Sequence, residues 1–316
     1  MPDGLTDQPP PPLRVALVNN MPDAAVAVTE RQFRTLAQAA APDRVVEILP
    51  FEIPGIERTE AIRARMAARY RPIEALDEAA PDLLIVTGAD PGSKPLPENA
   101  FWPGFSRLID WAADRRQPTL WSCLAAHAAA WRLDGVPRHK LGLKMSGVFD
   151  CRPADGGRLT RGLEAGWAFP HSHYNDVIEP DLVAAGYRLI SRSPVAGVDS
   201  FTRGDDPFLF LQGHPEYDHD SLALEFRRDF RAFVHGERDS LPAVPANLYP
   251  AEVEQALAAL RDEALSAPSP ELLARWPRED GLAGRPAPWR AAAARLVANW
   301  LASVLAPVAR EVSRRP

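Results

Sequence analysis

Thr119-Leu-Trp-Ser-Cys-Leu-Ala-Ala-His-Ala-Ala-Ala-Trp-Arg-Leu133 carries the strongest architectural signal in the chain. Thr119–Ser122 is a short apolar run with strand character, and the small, helix-favouring stretch Leu124–Leu133 follows it directly. Cys123 sits at the junction. A strand that passes straight into a helix is the unit of a parallel sheet covered by helices, whose ligands bind beyond the carboxyl ends of the strands.

The same alternation extends in both directions. Leu13–Asn19 (LRVALVN) is a β-branched run, followed after Met21-Pro22 by Asp23–Ala40, where Val26, Phe33 and Leu36 mark one apolar helical face. Arg44–Phe51 reads as a second strand, Thr59–Ala68 and Ile73–Ala79 as helical or mixed pieces, and Leu83–Thr87 (LLIVT) as a third strand, buried on both faces and ending at Gly88. Phe101–Arg115 repeats the helical period. Downstream, Tyr187–Ser191, Val198–Thr202 and the firmer Phe208–Gln212 (FLFLQ) are strands, and Asp220–His235 is a helix with Leu222, Phe226 and Phe230 inward. Beyond about Leu241 only helices remain, Pro250–Leu265 and Trp289–Leu305, joined by a proline-punctuated connection. The expected fold is α/β and flavodoxin-like: a mostly parallel sheet with helices on both faces over residues 13–240, then a helical extension over 241–316. Residues 1–12 are expected as a disordered lead-in, because Pro9–Pro12 supply no donors for helix or central strand.

Composition narrows the function. At 316 residues the chain exceeds the roughly 150 of a typical domain, which suits one main domain with an appendage. Apolar residues at 46% and charged residues at 25% exclude a wholly disordered or fibrous protein. A formal charge of −6 provides no basic field, so neither nucleic acid nor a membrane is an expected partner. The N-terminus lacks a signal-peptide pattern and no stretch approaches the ~18 apolar residues of a span, so a cytoplasmic location is expected. Cys123 and Cys151 cannot form a disulfide framework or a four-cysteine zinc site, and free thiols are expected. No internal repeat, long single-sign charge run or glycine-rich phosphate loop is present.

A cysteine at a strand-to-helix turn meets exposed backbone N–H groups and the positive end of a helix, which favour the thiolate and can also hold an oxyanion. Ala125, Ala126 and Ala128–Ala130 allow the close helix packing such an elbow needs. Trp121, however, stands where the Gly-x-nucleophile-x-Gly pattern has glycine, and on this local pattern alone a buried, inert cysteine is the better reading. A base follows the strongest late strand. In extended chain His214 and Glu216 point to the same side, and Pro215 restricts the backbone between them. The plain alternative is a solvated strand-end histidine beside a surface glutamate. His171, His173 and His214 with Glu216 also form a candidate zinc set, but without HExxH or paired CxxC spacing no resident metal is expected.

Taken together, several motifs resemble the homoserine O-acyltransferases, chiefly the homoserine O-succinyltransferase family, which has the class I glutamine amidotransferase-like fold. They are ALVNNMPD (Ala16–Asp23), LLIVTGADPG (Leu83–Gly92), FWP (Phe101–Pro103), SCLAAHAA (Ser122–Ala129), KMSGVFD (Lys144–Asp150), PHSHY (Pro170–Tyr174) and GHPEYD (Gly213–Asp218). The likeness spans most of the chain, although Ala251–Arg285 is longer and more divergent than the family's linker. It implies a ping-pong reaction of methionine biosynthesis: Cys123 takes an acyl group from acyl-CoA, and His214, oriented by Glu216, helps the hydroxyl of L-homoserine accept it. It further implies oxyanion donors at Leu124 and Ala89, an active-site lysine at Lys144, and substrate contacts at Ser172 and Arg228. Gly92 matches the position that separates acyl donors and leans towards succinyl-CoA over acetyl-CoA as co-substrate. No bound cofactor is expected, and a homodimer is the family expectation.

Two positions depart from the family. His173 stands where arginine is usual, and a mostly neutral imidazole cannot form a guanidinium fork. His127 stands one helical turn after Cys123, where glutamine is usual. Both open the way to another acceptor such as serine. The alternatives are a glutamine amidotransferase or γ-glutamyl hydrolase, disfavoured by the missing glycines around Cys123, and a non-catalytic binding module.

Overall fold

Period-two alternation in the short apolar runs builds a sheet that is covered on both faces. In the computed structural model, which describes residues 10–92, 94–154, 157–278 and 282–305, the strands are β1 (Leu13–Val18), β2 (Val46–Glu52), β3 (Arg71–Pro72), β4 (Leu83–Val86), β5 (Thr119–Ser122), β6 (His139–Pro153), β7 (Trp167–Asp176), β8 (Tyr187–Ser193), β9 (Gly197–Arg203) and β10 (Phe208–Leu211). The helices are α1 (Val26–Ala40), α2 (Glu60–Ala67), α3 (Leu76–Ala79), α4 (Trp102–Asp114), α5 (Leu124–Asp134), α6 (Glu179–Ala184), α7 (Ser221–Val234), α8 (Ala251–Ser266) and α9 (Arg290–Val304). The strand order is β3-β2-β1-β4-β5-β10-β9-β8-β6-β7. Pairing is parallel from β3 to β10 and antiparallel from β10 to β7.

Leu13, Val15 and Leu17 of β1 share one core with Leu83, Ile85, Leu209 and Leu211, against Phe33 and Leu36 of α1. Ala16 and Val18 share the opposite core with Leu84, Val86, Phe208 and Phe210, against Phe105, Leu108 and Ile109 of α4. Each central strand therefore splits its side chains between two layers, which is why these segments read as continuous apolar runs. The carboxyl ends of β4, β5 and β10 lie side by side, so the residues that follow them converge.

The sequence reading assigned no element to β6 or β7. Along β7 the buried face is Trp167, Phe169, His171 and His173, so half of its inward positions are imidazoles and the apolar alternation is lost. Along β6 only Gly147, Phe149 and Cys151 are buried, and the register shifts between Lys140 and Met145. The chain beyond Leu241 is likewise not purely helical: Ala246 bridges Gly147, giving its N–H to Ser146 O (3.0 Å) and accepting from Val148 N–H (2.9 Å). A Cβ at residue 147 would lie 2.6 Å from Ala246 O, so the approach requires glycine.

Residues 1–9 of the expected lead-in and residues 279–281 and 306–316 of the expected extension lie outside the described residues. Pro10–Pro12 are exposed, and the carbonyls of Pro11 and Pro12 each accept from Arg44 at 3.0 Å. Helix α9 places Ala293, Leu296, Val297 and Trp300 in the same core as Leu13 and Phe33, while Asn299 donates to the carbonyls of Leu159 and Arg161, each at 2.9 Å. Among the described residues no helix is long and apolar enough to cross a membrane.

If α9 is part of the main core, Trp300→Ala destabilises the whole fold by about 3–5 kcal/mol, the range for deleting a buried aromatic side chain. The check is a single cooperative urea transition shifted as far as that of Phe33→Ala; a separate early transition would mean that α9 melts alone.

Candidate active site

The turn from β5 into α5 is sharp enough to force Cys123 into a left-handed backbone conformation, with φ 53° and ψ −112°. For a residue with a Cβ this costs on the order of 1–3 kcal/mol. It is held by the Cys123 N–H, which donates to Leu211 O on β10 (2.7 Å), and by the Cys123 carbonyl, which accepts from His127 N–H (3.2 Å). Trp121 is compatible with the elbow because its indole is fully buried in the same layer as the small alanines of α5, edge-on to Phe208 at 5.8 Å. Gly88, after β4, abuts the helix start: a Cβ there would be 2.7 Å from Leu124 Cβ and 3.2 Å from Leu124 N. The backbone N–H groups of Leu124, next to Cys123 in the chain, and of Ala89, next to Gly88, donate to no described acceptor.

His214 follows β10 through Gly213 and is fixed by its N–H bond to Pro170 O on β7 (2.7 Å). Its Nδ1 bonds Glu216 Oε1 at 2.8 Å, which leaves Nε2 available towards the Cys123 thiol, whose charge acts on the ring. Tyr217 stacks on the imidazole at 4.3 Å between centroids. Burial alone would push the His214 pKa down, yet it lies well above the ordinary value, because the Glu216 and Cys123 charges and hydrogen bonds to both favour the imidazolium. The three side chains expected from sequence thus meet in one place. Cys151 is excluded as a nucleophile: it is 1% exposed and burial pushes its thiol pKa strongly upward.

A second polar group gathers on the other side of Tyr217. Its hydroxyl donates to Glu225 Oε1 (2.5 Å), and Glu225 Oε2 accepts from Ser172 Oγ and from Lys144 Nζ (3.1 Å). Lys144 also reaches Asp229 at 3.5 Å. Burial would raise the Glu225 pKa, but Lys144, the Ser172 and Tyr217 hydroxyls and His214 hold it down at about 2. Sequence reasoning missed Glu225. The signal available was its place one turn before Arg228 on the inward side of an amphipathic helix, where a glutamate needs a reason to be buried. Arg228 is largely exposed and lays its Nε and Nη2 on Asp229 Oδ1 at 2.9 and 2.8 Å. Gly92 has φ +55°, and a Cβ there would meet nothing within 4 Å.

His173 faces away from this group. Ser172 and His173 point to opposite faces of β7, and the His173 ring is buried with Nδ1 on Asn175 O (2.9 Å) and Nε2 near His171 Nδ1 (3.2 Å). His127 is also internal rather than solvated. Its Nε2 meets Gln212 Oε1 at 2.7 Å, while the Gln212 amide nitrogen donates to Asp176, so His127 carries its proton on Nε2 and Nδ1 has no partner. Burial, then the charge of Arg138, lower the His127 pKa to about 4, against the opposing bond to Gln212. The candidate zinc set of His171, His173, His214 and Glu216 is not assembled as one, since His214 and Glu216 are committed to each other.

A cysteine on the elbow after β5 and a His–Glu pair after β10, on an open and largely parallel sheet, define the class I glutamine amidotransferase-like architecture. A solved glutamine amidotransferase from Thermotoga maritima aligns over 93% of this chain and 98% of its own at TM-score 0.50, and one from Methylobacillus flagellatus over 92% and 94% at TM-score 0.51. Both are 15% identical, a likeness of fold alone. The sequence comparisons are more specific. The family model for homoserine O-succinyltransferase matches residues 5–309. Relatives named homoserine O-succinyltransferase from Methylorubrum extorquens and Rhodopseudomonas palustris are 44% and 40% identical, over 92% of this chain and 87% and 88% of theirs. The chain belongs to the homoserine O-succinyltransferase family, and the amidotransferase and non-catalytic alternatives are not favoured.

The depressed His127 pKa fixes a pH dependence. The unfolded ring protonates near pH 6.5 and the folded ring near 4, so stability is complete above pH 6.5 and falls between those values by about 3 kcal/mol. In His127→Gln, which keeps a donor for Gln212 but does not titrate, the difference in urea midpoint between pH 7 and pH 5 shrinks. An unchanged difference would place the acid sensitivity elsewhere.

Proposed function

We propose that the protein moves a succinyl group from succinyl-CoA to the hydroxyl of L-homoserine through a thioester on Cys123. The observation that supports this most directly is the Cys123–His214–Glu216 alignment at the carboxyl ends of β5 and β10. The Cys123 sulfur attacks the thioester carbonyl, and the tetrahedral oxyanion accepts from the N–H groups of Leu124 and Ala89. The C–S bond to CoA breaks, and the departing sulfur takes a proton from the His214 imidazolium. Neutral His214 then removes the proton of the acceptor hydroxyl as its oxygen attacks the acyl-enzyme, and returns that proton to the Cys123 sulfur as it leaves. Glu216 keeps the ring oriented throughout.

The acceptor carries an ammonium and a carboxylate. Glu225, kept ionised and positioned by Ser172 and Tyr217, suits the ammonium, and the exposed guanidinium of Arg228 suits the carboxylate. For the donor, the open space at Gly92 leaves room for a chain longer than acetyl. Arg138 supports the same choice: its Nε is buried with no partner, it forms no ion pair among the described residues, and its guanidinium is within electrostatic reach of Cys123. A free carboxylate at the far end of the acyl group would satisfy it.

Intact-mass analysis tests the covalent step. Mixing with succinyl-CoA should add one succinyl group that homoserine, rather than serine, discharges, and Cys123→Ala should remain unmodified; an adduct on that variant, or none on the wild type, would end this reading. Arg138→Ala should raise KM for succinyl-CoA about tenfold or more, as expected for losing a charged hydrogen bond, with acetyl-CoA turnover changed little. Equal effects on both donors would remove Arg138 from donor selection.

A further inference from the structure

Beneath the Gly213–His214 segment lies a polar cluster that the acyl-transfer chemistry does not use. Cys151 on β6, His171 on β7 and Asp199 on β9 come from three strands, and each is at most 1% exposed. One donor atom from each, Cys151 Sγ, His171 Nε2 and a carboxylate oxygen of Asp199, fall within 4.8 Å of one another. His171 Nε2 and Asp199 Oδ1 face each other at 3.4 Å, and neither has a nitrogen or oxygen hydrogen-bond partner.

The hydrogen bonds around the cluster determine what these two atoms carry. The Asn175 carbonyl can only accept, so His173 Nδ1 holds a hydrogen. In the neutral ring His173 Nε2 is then a bare lone pair, which accepts from His171 Nδ1–H at 3.2 Å. That leaves His171 Nε2 bare. Asp199 accepts from Ser191 Oγ at Oδ2 (2.6 Å), and Ser191 in turn bonds Ser200, so Oδ1 has no partner but the neighbouring Cys151 thiol, whose hydrogen also faces Phe149 O at 3.5 Å. Two buried acceptors aimed at each other repel, and a carboxylate without a counter-ion in the interior is costly. A cation belongs between them.

We infer that Cys151, His171 and Asp199 form a buried site for one divalent ion of the zinc class, separate from the Cys123 site and independent of the reading given to it. Zinc–nitrogen and zinc–oxygen bonds of about 2.0–2.1 Å at a tetrahedral angle place the two donors roughly 3.4 Å apart, which matches the observed separation. A divalent ion, a thiolate, a carboxylate and a neutral imidazole sum to zero charge, which suits a position closed to water. The outer contacts also suit a ligand set, because His171 gives its second nitrogen to His173 and Asp199 is held by Ser191. Space for the ion is kept by Gly213: a Cβ there would lie 2.7 Å from Asp199 Oδ1 and 3.1 Å from His171 Nε2. The ion ties β6, β7 and β9 together under the residue that precedes His214, and so acts as a structural floor to the catalytic histidine. The alternative is that the Cys151 thiol keeps its proton, shared between Asp199 and Phe149 O, and no ion binds.

The test uses the full chain produced with zinc in the medium and then dialysed against metal-free buffer. Native mass spectrometry and elemental analysis should find about one zinc per chain, released only on unfolding. In the Cys123→Ala background, where Cys151 is the sole thiol, refolding with cobalt(II) should give a thiolate-to-metal charge-transfer band, and this band should vanish on adding Cys151→Ser. Wild-type protein that is free of zinc and gives no such band on refolding with cobalt would overturn the site and leave the Cys151 thiol protonated. Because the wild-type measurement decides the matter, failure of Cys151→Ser to fold does not blunt the test. Loss of the acyl adduct with zinc still bound would instead count against the function proposed above.

Discussion

The left-handed backbone of Cys123 is the constraint around which the rest of the structure is arranged. A strained residue persists only when its neighbours over-determine it. Here the strand β10 supplies the carbonyl that takes the Cys123 N–H, helix α5 supplies the N–H that takes its carbonyl, and Gly88 lets the β4 loop close against Leu124. Three consecutive strands of the sheet thus converge on one φ/ψ pair. In exchange Cys123 is only partly buried and stands at the N-terminal, positive end of α5.

The parallel half of the sheet was legible because its strands are buried on two faces and so read as short, unbroken apolar runs. The LLIV of β4 and the FLFL of β10 could hardly be anything else between helical segments. The antiparallel half was partly hidden. Strand β7 buries His171 and His173 where a pattern search looks for leucine or valine, and β6 mixes exposed residues such as Lys140 and Leu143 with a register shift. The elbow was undervalued for a related reason. Trp121 looked too large for the turn, yet strand alternation directs it against Phe208, where the alanines of α5 leave room in the same layer. Cys123, His214 and Glu216 were readable as a set because the ends of parallel strands are adjacent in space, whereas Glu225 was not, since its role appears only once Tyr217, Ser172 and Lys144 are seen around it.

Interior polarity in this protein is concentrated in one belt that runs behind the nucleophile. His127, Gln212, Asp176, His173, His171 and Asp199 link α5, the end of β10, β7 and β9 through side chains that are buried except for the partly exposed Asp176. His127 and His173 both belong to it, and both find hydrogen-bond partners inside or beside the belt.

Helix α7 presents Glu225, Arg228 and Asp229 within five consecutive residues, while Cys123, His214 and Glu216 come from strand ends and loops. Under the proposed function, the groups that break and form ester linkages are therefore physically decoupled from the surface that would choose which alcohol enters. A lineage could exchange residues along a single helical turn and acquire a new nucleophilic guest while its reactive thiol stayed untouched.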